Sequence, residues 1–369
     1  MNDKFNIENE DNMEKEKKSK IKKILVNLTI FILLIILTFS LVLKDQDVSQ
    51  IFSVAAKVKK QYILFAVLAM SIYILGEAVN ITRILKELGE KSKLISNIRY
   101  TLIGFFFSAI TPAASGGQPM EIYYMHKDDI SVANSTLALL MQLCSLQIVT
   151  ITGGTISAVI HFEVLKSGLI YLLILGIILN SSALMLLIIA IFSKRLSEGL
   201  IKFAVKLLKF FRIPNVEKKQ EKLEKELESY QTSAKYIKEH KILMLKTVIT
   251  TVVQMIAYYS VPYWIYLAFG LTEYNIFEIL TLQAVLYATV SGIPSPGAVG
   301  VSEGGFLGIF KNVFPETIIS SAMLLTRGAN FYLFIIISAI IVMISTFREK
   351  KIEKKQMQET EVLTEKSEK

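Results

Sequence analysis

Several stretches of this chain run for twenty residues or more without a charged side chain, among them Ile24 to Leu43, Ser131 to Ile160, Ser167 to Ser193 and Thr247 to Thr272. About 20 apolar residues of helix cross the hydrocarbon of a bilayer, and soluble cores do not contain blocks like these. The pattern predicts an all-α, polytopic integral membrane protein. The first block is longer than the apolar core of a signal peptide, and Leu43-Lys44-Asp45 offers no small-residue cleavage site, so it is read as a retained anchor.

Two further blocks, Tyr100 to Met120 and Ile279 to Ser302, are uncharged yet cannot be continuous helices. One contains T-P-A-A-S-G-G-Q-P (Thr111 to Pro119) and the other S-G-I-P-S-P-G-A-V-G (Ser291 to Gly300), and clustered proline and glycine break a helix. Non-helical backbone at membrane depth persists only where protein or a water-filled cavity satisfies its polar groups. Asn97 to Met125 and Phe277 to Phe314 are therefore read as re-entrant hairpins. Adding Lys60 to Asn80 and Thr317 to Phe347 gives six full transmembrane helices plus two hairpins.

Residues 1–23 and 348–369 read as disordered cytoplasmic tails, 24–160 as a first membrane repeat and 167–347 as a second. Thr82 to Ser96 reads as a charged loop. The second repeat carries a polar insertion, Lys194 to Lys246, whose first part resembles an interfacial amphipathic helix and whose second part, Val216 to Lys241, reads as a solvated Glu/Lys-rich helix. Tyr258, Tyr259, Tyr263, Trp264 and Tyr266 read as an interfacial aromatic belt.

The net charge of +9 does not point to nucleic acid as a partner, because the basic residues flank the spans and alternate with glutamates. This layout puts 34 of the 41 Lys and Arg on one side of the membrane. The positive-inside rule makes that side the cytoplasm, with both termini there and the chain in the cell membrane. The lone Cys144 excludes an internal disulfide, and His126, His161 and His240 fall in three separate loops, unlike a zinc site. There is no G-x-x-x-x-G-K-[ST] or G-x-G-x-x-G loop and no Ser/His/Asp constellation. No catalytic residue, metal ligand set or cofactor is expected.

Each half of the chain reads span, span, hairpin, span, and the second half starts from the opposite side, as in an inverted repeat. Sliding one hairpin over the other puts Pro112 on Pro294 and Glu121 on Glu303. Inverted repeats with broken helices place a site near the bilayer midplane, where half-helix N-termini face anionic groups. Gly116-Gly117-Gln118-Pro119, with Pro119 read as the first helical residue, and Ser302-Glu303 are candidate starts of that kind. The alternative is that the glycines permit close packing and Glu121 caps its own helix. Arg327 inside a span costs about 2.5–3.5 kcal/mol on insertion scales and needs a partner. Glu303 is the expected one, the pair being either a structural clamp or a surface for a phosphate head group. Glu77 reads as interfacial, and Gln142, Gln147 and Gln254 as interhelical hydrogen-bonders.

The stretches T-P-A-A-S-G-G-Q-P-M-E-I-Y-Y-M and G-I-P-S-P-G-A-V-G-V-S-E-G-G-F, in this order and spacing, resemble the lysylphosphatidylglycerol synthase transmembrane family over roughly Lys22 to Phe347. Gly116, Gly117, Gln118, Pro119, Pro294, Pro296, Gly300 and Glu303 match its motifs, whereas Glu121 stands where the resemblance leads one to expect glutamine. The resemblance implies a flippase-like protein that binds and translocates an anionic or aminoacylated lipid between leaflets, either a phosphatidylglycerol derivative or a polyprenyl-phosphate-linked lipid. Its head group would meet these residues together with Glu121, Ser302 and Arg327. In full-length synthases a separate cytosolic domain transfers lysine from lysyl-tRNA; no such domain is expected after Phe347, so lysyltransferase activity would call for a separate cytosolic transferase. Phosphatidylglycerol lysyltransferase activity and small-solute secondary transport are the alternatives, and the oligomeric state is left open.

Overall fold

The computed structural model describes Thr29 and residues 53–348, apart from 112–113, 161, 163–168, 196–197, 200–201, 203–204, 207–215 and 294. The crossing read at Ile24 to Leu43, both tails and most of the interfacial helix read from Lys194 onward lie outside these residues. What is described is all-helical. Five helices are long and apolar enough to cross a membrane: Lys60–Glu87, Val132–Ile160, Ile170–Phe192, Lys241–Ala268 and Glu316–Arg348.

The first, α1 (Lys60–Glu87), runs seven residues past the predicted end at Asn80, through what reads as a charged loop. Its polar end is held by α7 (Lys241–Tyr259). Asn80 Nδ2 donates to the Thr247 carbonyl and to Thr251 Oγ1, and Arg83 Nη1 donates to the Lys246 carbonyl and to Thr250 Oγ1. At the other end of α1, the Lys59 amide donates to the Ala268 carbonyl, where α8 (Val261–Ala268) finishes. The α1 and α7–α8 helices are therefore antiparallel along their whole length. Pro262 lacks an amide hydrogen, which accounts for the break between α7 and α8 at Ser260.

Each half also contains a helix, a break and a return helix. In the first, α2 (Leu94–Ile110) is followed by a break at 111–116 and by α3 (Gly117–Lys127). In the second, α9 (Ile276–Val290) is followed by a break at 291–300 and by α10 (Val301–Ile309). Arg99 and Tyr100 at the start of α2 bond Asp128 just beyond α3, at the end of the bundle that holds Arg83 and Lys246. Tyr274 before α9 donates to the Asn312 carbonyl beyond α10 at 3.0 Å, and the Tyr274 amide bonds the Tyr266 hydroxyl of α8, at the opposite end. The two hairpins thus open from opposite ends.

The breaks differ in length, six residues against ten, so no gapless register spans both hairpins. Gly116 and Gly300 are both N-cap residues, and Ala114 and Ala298, two residues before each, both lie in the left-handed region (φ 52° and 53°). This correspondence is two residues away from the one that overlays Glu121 on Glu303. Glu303 is the third residue of its helix and Glu121 the fifth, so the two glutamates are not equivalent.

The other long helices are α4 (Val132–Ile160), α5 (Leu169–Phe192), α6 (Val216–Glu239) and α11 (Glu316–Arg327), the last continuing through a wide π turn at Gly328–Tyr332 to Arg348. The α6 helix is not the free solvated helix that its Glu/Lys-rich sequence suggests. Ile237 and Ala234 are buried, Tyr230 donates to the Ala190 carbonyl at 2.8 Å, and Ser233 donates to Asn134 Oδ1 at 2.7 Å. Its Glu226 carboxylate accepts from the Ala133 amide at the start of α4, where a negative charge suits exposed helix amides. Its sparse apolar positions therefore dock across the ends of α4 and α5.

Polarity in the bundle is arranged inside out. Asn80, Gln142, Gln254, Glu121, Glu303 and Arg327 are buried, whereas Leu64, Leu68 and Ile72 on α1, Ile249 and Val253 on α7, and Ile340 and Ile344 on the last helix are exposed. An apolar outer surface on this scale suits hydrocarbon rather than water. Inside, Asn80 Nδ2 donates to Gln142 Oε1 at 2.8 Å and Gln142 Nε2 donates to Gln254 Oε1 at 3.2 Å, so these two glutamines are the predicted interhelical bonders.

Candidate functional site

The two breaks come together at the centre of the bundle, where α2 packs against the 3-10 turn Pro296–Ala298 of the second break. The first break satisfies itself locally, whereas the second is held by a neighbouring helix. Thr111 donates to the Phe107 carbonyl and accepts from the Gly116 amide, both within 2.9 Å. On the other side Asn180 of α5 donates to the Ala288 carbonyl and to Ser291 Oγ, holding open the end of α9.

Between the breaks lies a cavity of about 470 Å³. Gln118 and Ser302, each the second residue of its return helix, both line it, so both half-helix N-termini open on the same space. Arg327 reaches it from the last helix, Tyr258 from α7, Tyr287 from α9, and Tyr73 and Glu77 from α1.

Arg327 is 5 % exposed and its expected partner is present. Its Nε donates to Glu303 Oε1 at 2.8 Å, its Nη2 donates to the Gly297 carbonyl at 3.1 Å, and the guanidinium lies 4.0 Å from the centre of the Phe331 ring. Glu303, fully buried, also accepts from the Tyr332 hydroxyl at 3.2 Å and, through Oε2, from the Gly300 amide at 2.8 Å. One carboxylate therefore caps α10 and ties it to the last helix. Gly300 can cap in this way because its backbone is left-handed (φ 86°), a conformation that favours glycine.

The remaining expected site residues separate into two groups. Glu121 lines the cavity, with Oε1 lodged where a Cβ on Gly104 would stand. Gly117 is a packing glycine, since a Cβ there would meet Ser108 Oγ at 2.0 Å and the Gly104 carbonyl at 2.9 Å. Gly116 caps α3 without lining the cavity, and Pro119 is exposed and sits third in α3 rather than first. Pro296 opens the 3-10 turn while its neighbours Ser295, Gly297 and Ala298 line the cavity. Pro294 lies outside the described residues.

Two readings of the sequence change. Glu77 is not interfacial: it faces the central cavity beside Tyr73. The aromatic cluster of α7 and α8 is only partly a belt, because Tyr259 and Tyr266 are buried and Tyr258 packs against Tyr73 and Tyr287 at ring-centre distances of 5.2 and 5.3 Å. Tyr263 and Trp264 remain half-buried. Asn180 and Asn330 also belong to the site, and their signal was a lone amide inside an apolar span.

The sequence is similar to a UPF0104 membrane protein of Archaeoglobus fulgidus, 24 % identical over 269 residues, which covers 71 % of this chain and 80 % of that protein. A profile described as the lysylphosphatidylglycerol synthase TM region matches residues 24–338, the span that holds both broken hairpins and Arg327. The chain therefore belongs to the lysylphosphatidylglycerol synthase transmembrane-region family.

Proposed function

We propose that this protein binds the phosphate-bearing head group of a membrane lipid in the cavity between the two hairpin tips and moves it between leaflets. The observation that carries the reading is the meeting, around one cavity, of the N-termini of α3 and α10 and the Arg327 guanidinium. Helix N-termini attract anions through unpaired amides and the helix dipole, and a guanidinium suits a phosphate. A volume of about 470 Å³ fits a lipid head group and is within the about 300–1,000 Å³ range of small-molecule sites. Acyl chains would stay in the bilayer against the apolar outer faces of the helices.

In this reading the hairpins enter the bilayer from opposite faces. The end holding Arg83, Arg99, Lys127 and Lys246 is cytoplasmic, as the positive-inside rule requires. Opposed openings let one cavity be approached from either leaflet in turn, the arrangement on which alternating access rests.

The test is reconstitution into liposomes of phosphatidylglycerol and phosphatidylcholine bearing a fluorescent head-group-labelled lipid, with dithionite quenching reporting transbilayer movement. Wild type is expected to accelerate movement, and Arg327→Ala to abolish most of the acceleration. Gln118→Ala and Ser302→Ala, which leave the Glu303 clamp intact, should slow it. Wild-type rates in all three variants would remove the cavity from the mechanism.

A further inference from the structure

The two hairpins are unequal in charge. In the second, Arg327 neutralises the buried Glu303. In the first, Glu121 is 2 % exposed, faces the cavity, and its Oε2 has no hydrogen-bond partner among the described residues. The helices packed against α3 are α2 and α4; α2 brings Thr101, Gly104, Phe105, Ser108 and Ala109 to the cavity and α4 brings Leu143, Leu146, Gln147 and Thr150, none of them charged. Glu77 adds a second carboxylate to the same space. The other titratable or charged groups facing it are Tyr73, Tyr258, Tyr287 and Arg327, and among the described residues Arg327 is the one lysine or arginine on the wall, already bound to Glu303.

A buried carboxylate without a counter-charge or hydrogen bonds is costly, so the missing positive charge has to come from outside the chain. The nature of the vacant partners indicates its kind. Besides Glu121 Oε2, three residues that line the cavity carry a buried side-chain oxygen with no partner among the described residues: Gln147 Oε1, Asn330 Oδ1 and Thr101 Oγ1, and Thr101 is itself 2 % exposed. Carboxylate, amide carbonyl and hydroxyl oxygens are the ligands that a small hard cation takes and the acceptors that a proton joins.

We propose that Glu77 and Glu121 form a cation subsite in the head-group cavity, filled by a sodium ion or a proton, through which lipid movement is coupled to a monovalent cation. The coupling rests on the translocation reading above, whereas the subsite does not. Transporters with broken helices place substrate and coupling ion side by side in this way.

The test uses the full chain in detergent, following its melting temperature while sodium replaces choline at constant ionic strength at neutral pH, and while pH is lowered in sodium-free buffer. Wild type is expected to melt at higher temperature as sodium rises, which marks a sodium site, or on acidification alone, which marks a proton site. Glu121→Gln and Glu77→Gln should lose that response, and Glu239→Gln, at the exposed end of α6, should keep it. If Glu121→Gln does not fold, the half-exposed Glu77→Gln carries the comparison. A wild type indifferent to both cations, or glutamine variants that respond as wild type does, overturns the subsite. Because no lipid movement is read, a cation response without translocation in liposomes refutes the translocase reading alone, and translocation without a cation response refutes the subsite alone.

Discussion

Removing the charge of Arg327 while keeping its length, as in Arg327→Met, leaves the Glu303 carboxylate at 0 % exposure with two of its three donors. Breaking a buried pair from one side costs about 3–5 kcal/mol, most of it the uncompensated charge left behind. Glu303→Gln breaks the same pair from the other side and leaves the 5 % exposed Arg327 cation without its carboxylate, so it should cost about 3 kcal/mol, the lower end of that range. Its amide oxygen can still cap Gly300, and Arg327 keeps the Gly297 carbonyl and the Phe331 ring. The double variant carries no charge at this pair, so it should be more stable than Arg327→Met alone, with a coupling of about 2 kcal/mol or more. Denaturation with sodium dodecyl sulfate in mixed micelles, run on all four proteins, measures the cycle. Because the two side chains are only 7 % and 0 % exposed, raising the ionic strength should leave the coupling in place. Strict additivity of the single variants, or an Arg327→Met cost under about 1 kcal/mol, would refute the clamp as described.

Gly176→Ala should destabilise by about 1–3 kcal/mol or more, because its Cβ would lie 2.3 Å from the Ala288 carbonyl oxygen and 2.8 Å from Thr289 Cα, both backbone atoms of α9. Gly153→Ala, with nothing within 4 Å, should be neutral or stabilising by up to about 1 kcal/mol, and thermal unfolding of the two variants side by side checks the contrast. Tyr230→Phe with Ser233→Ala removes two bonds of α6, each worth about 0.5–1.5 kcal/mol, and should leave the membrane bundle intact while speeding tryptic cleavage between Val216 and Glu239. Cleavage at an unchanged rate would show that the apolar positions alone hold α6.

The parts of the fold legible in the sequence were those set by local rules. Uninterrupted apolar blocks marked α4, α5 and α7, a block broken only by Arg327 marked the last helix, and clustered proline and glycine marked both breaks. The Arg327–Glu303 pair was legible because an intramembrane arginine demands a partner and few carboxylates are near. What stayed hidden depended on neighbours far along the chain. Asn80 and Arg83 look like the end of a helix until α7 supplies their acceptors. The charged stripe of α6 looks solvated because only Tyr230, Ala234 and Ile237 announce its docking face. Glu77 sits close enough to a polar flank to pass for an interfacial residue, and only the meeting of α1 with the first hairpin turns it inward. The repeat was misregistered because its two breaks differ by four residues, and a gapless comparison cannot detect that.

The wide turn at Gly328–Tyr332 settles a matter of phase. Arg327 and Tyr332 both reach Glu303 Oε1, though five residues of ordinary α-helix turn through about 500° and would leave the two side chains about 140° apart. The extra residue per turn of π geometry closes that gap. Tightening the turn back to α geometry must swing either the cation or the phenol off the carboxylate, by about 100° for each residue taken up. The lower half of the last helix is thus keyed like a ratchet tooth to the cap of α10, and neither can rotate without unlocking the other.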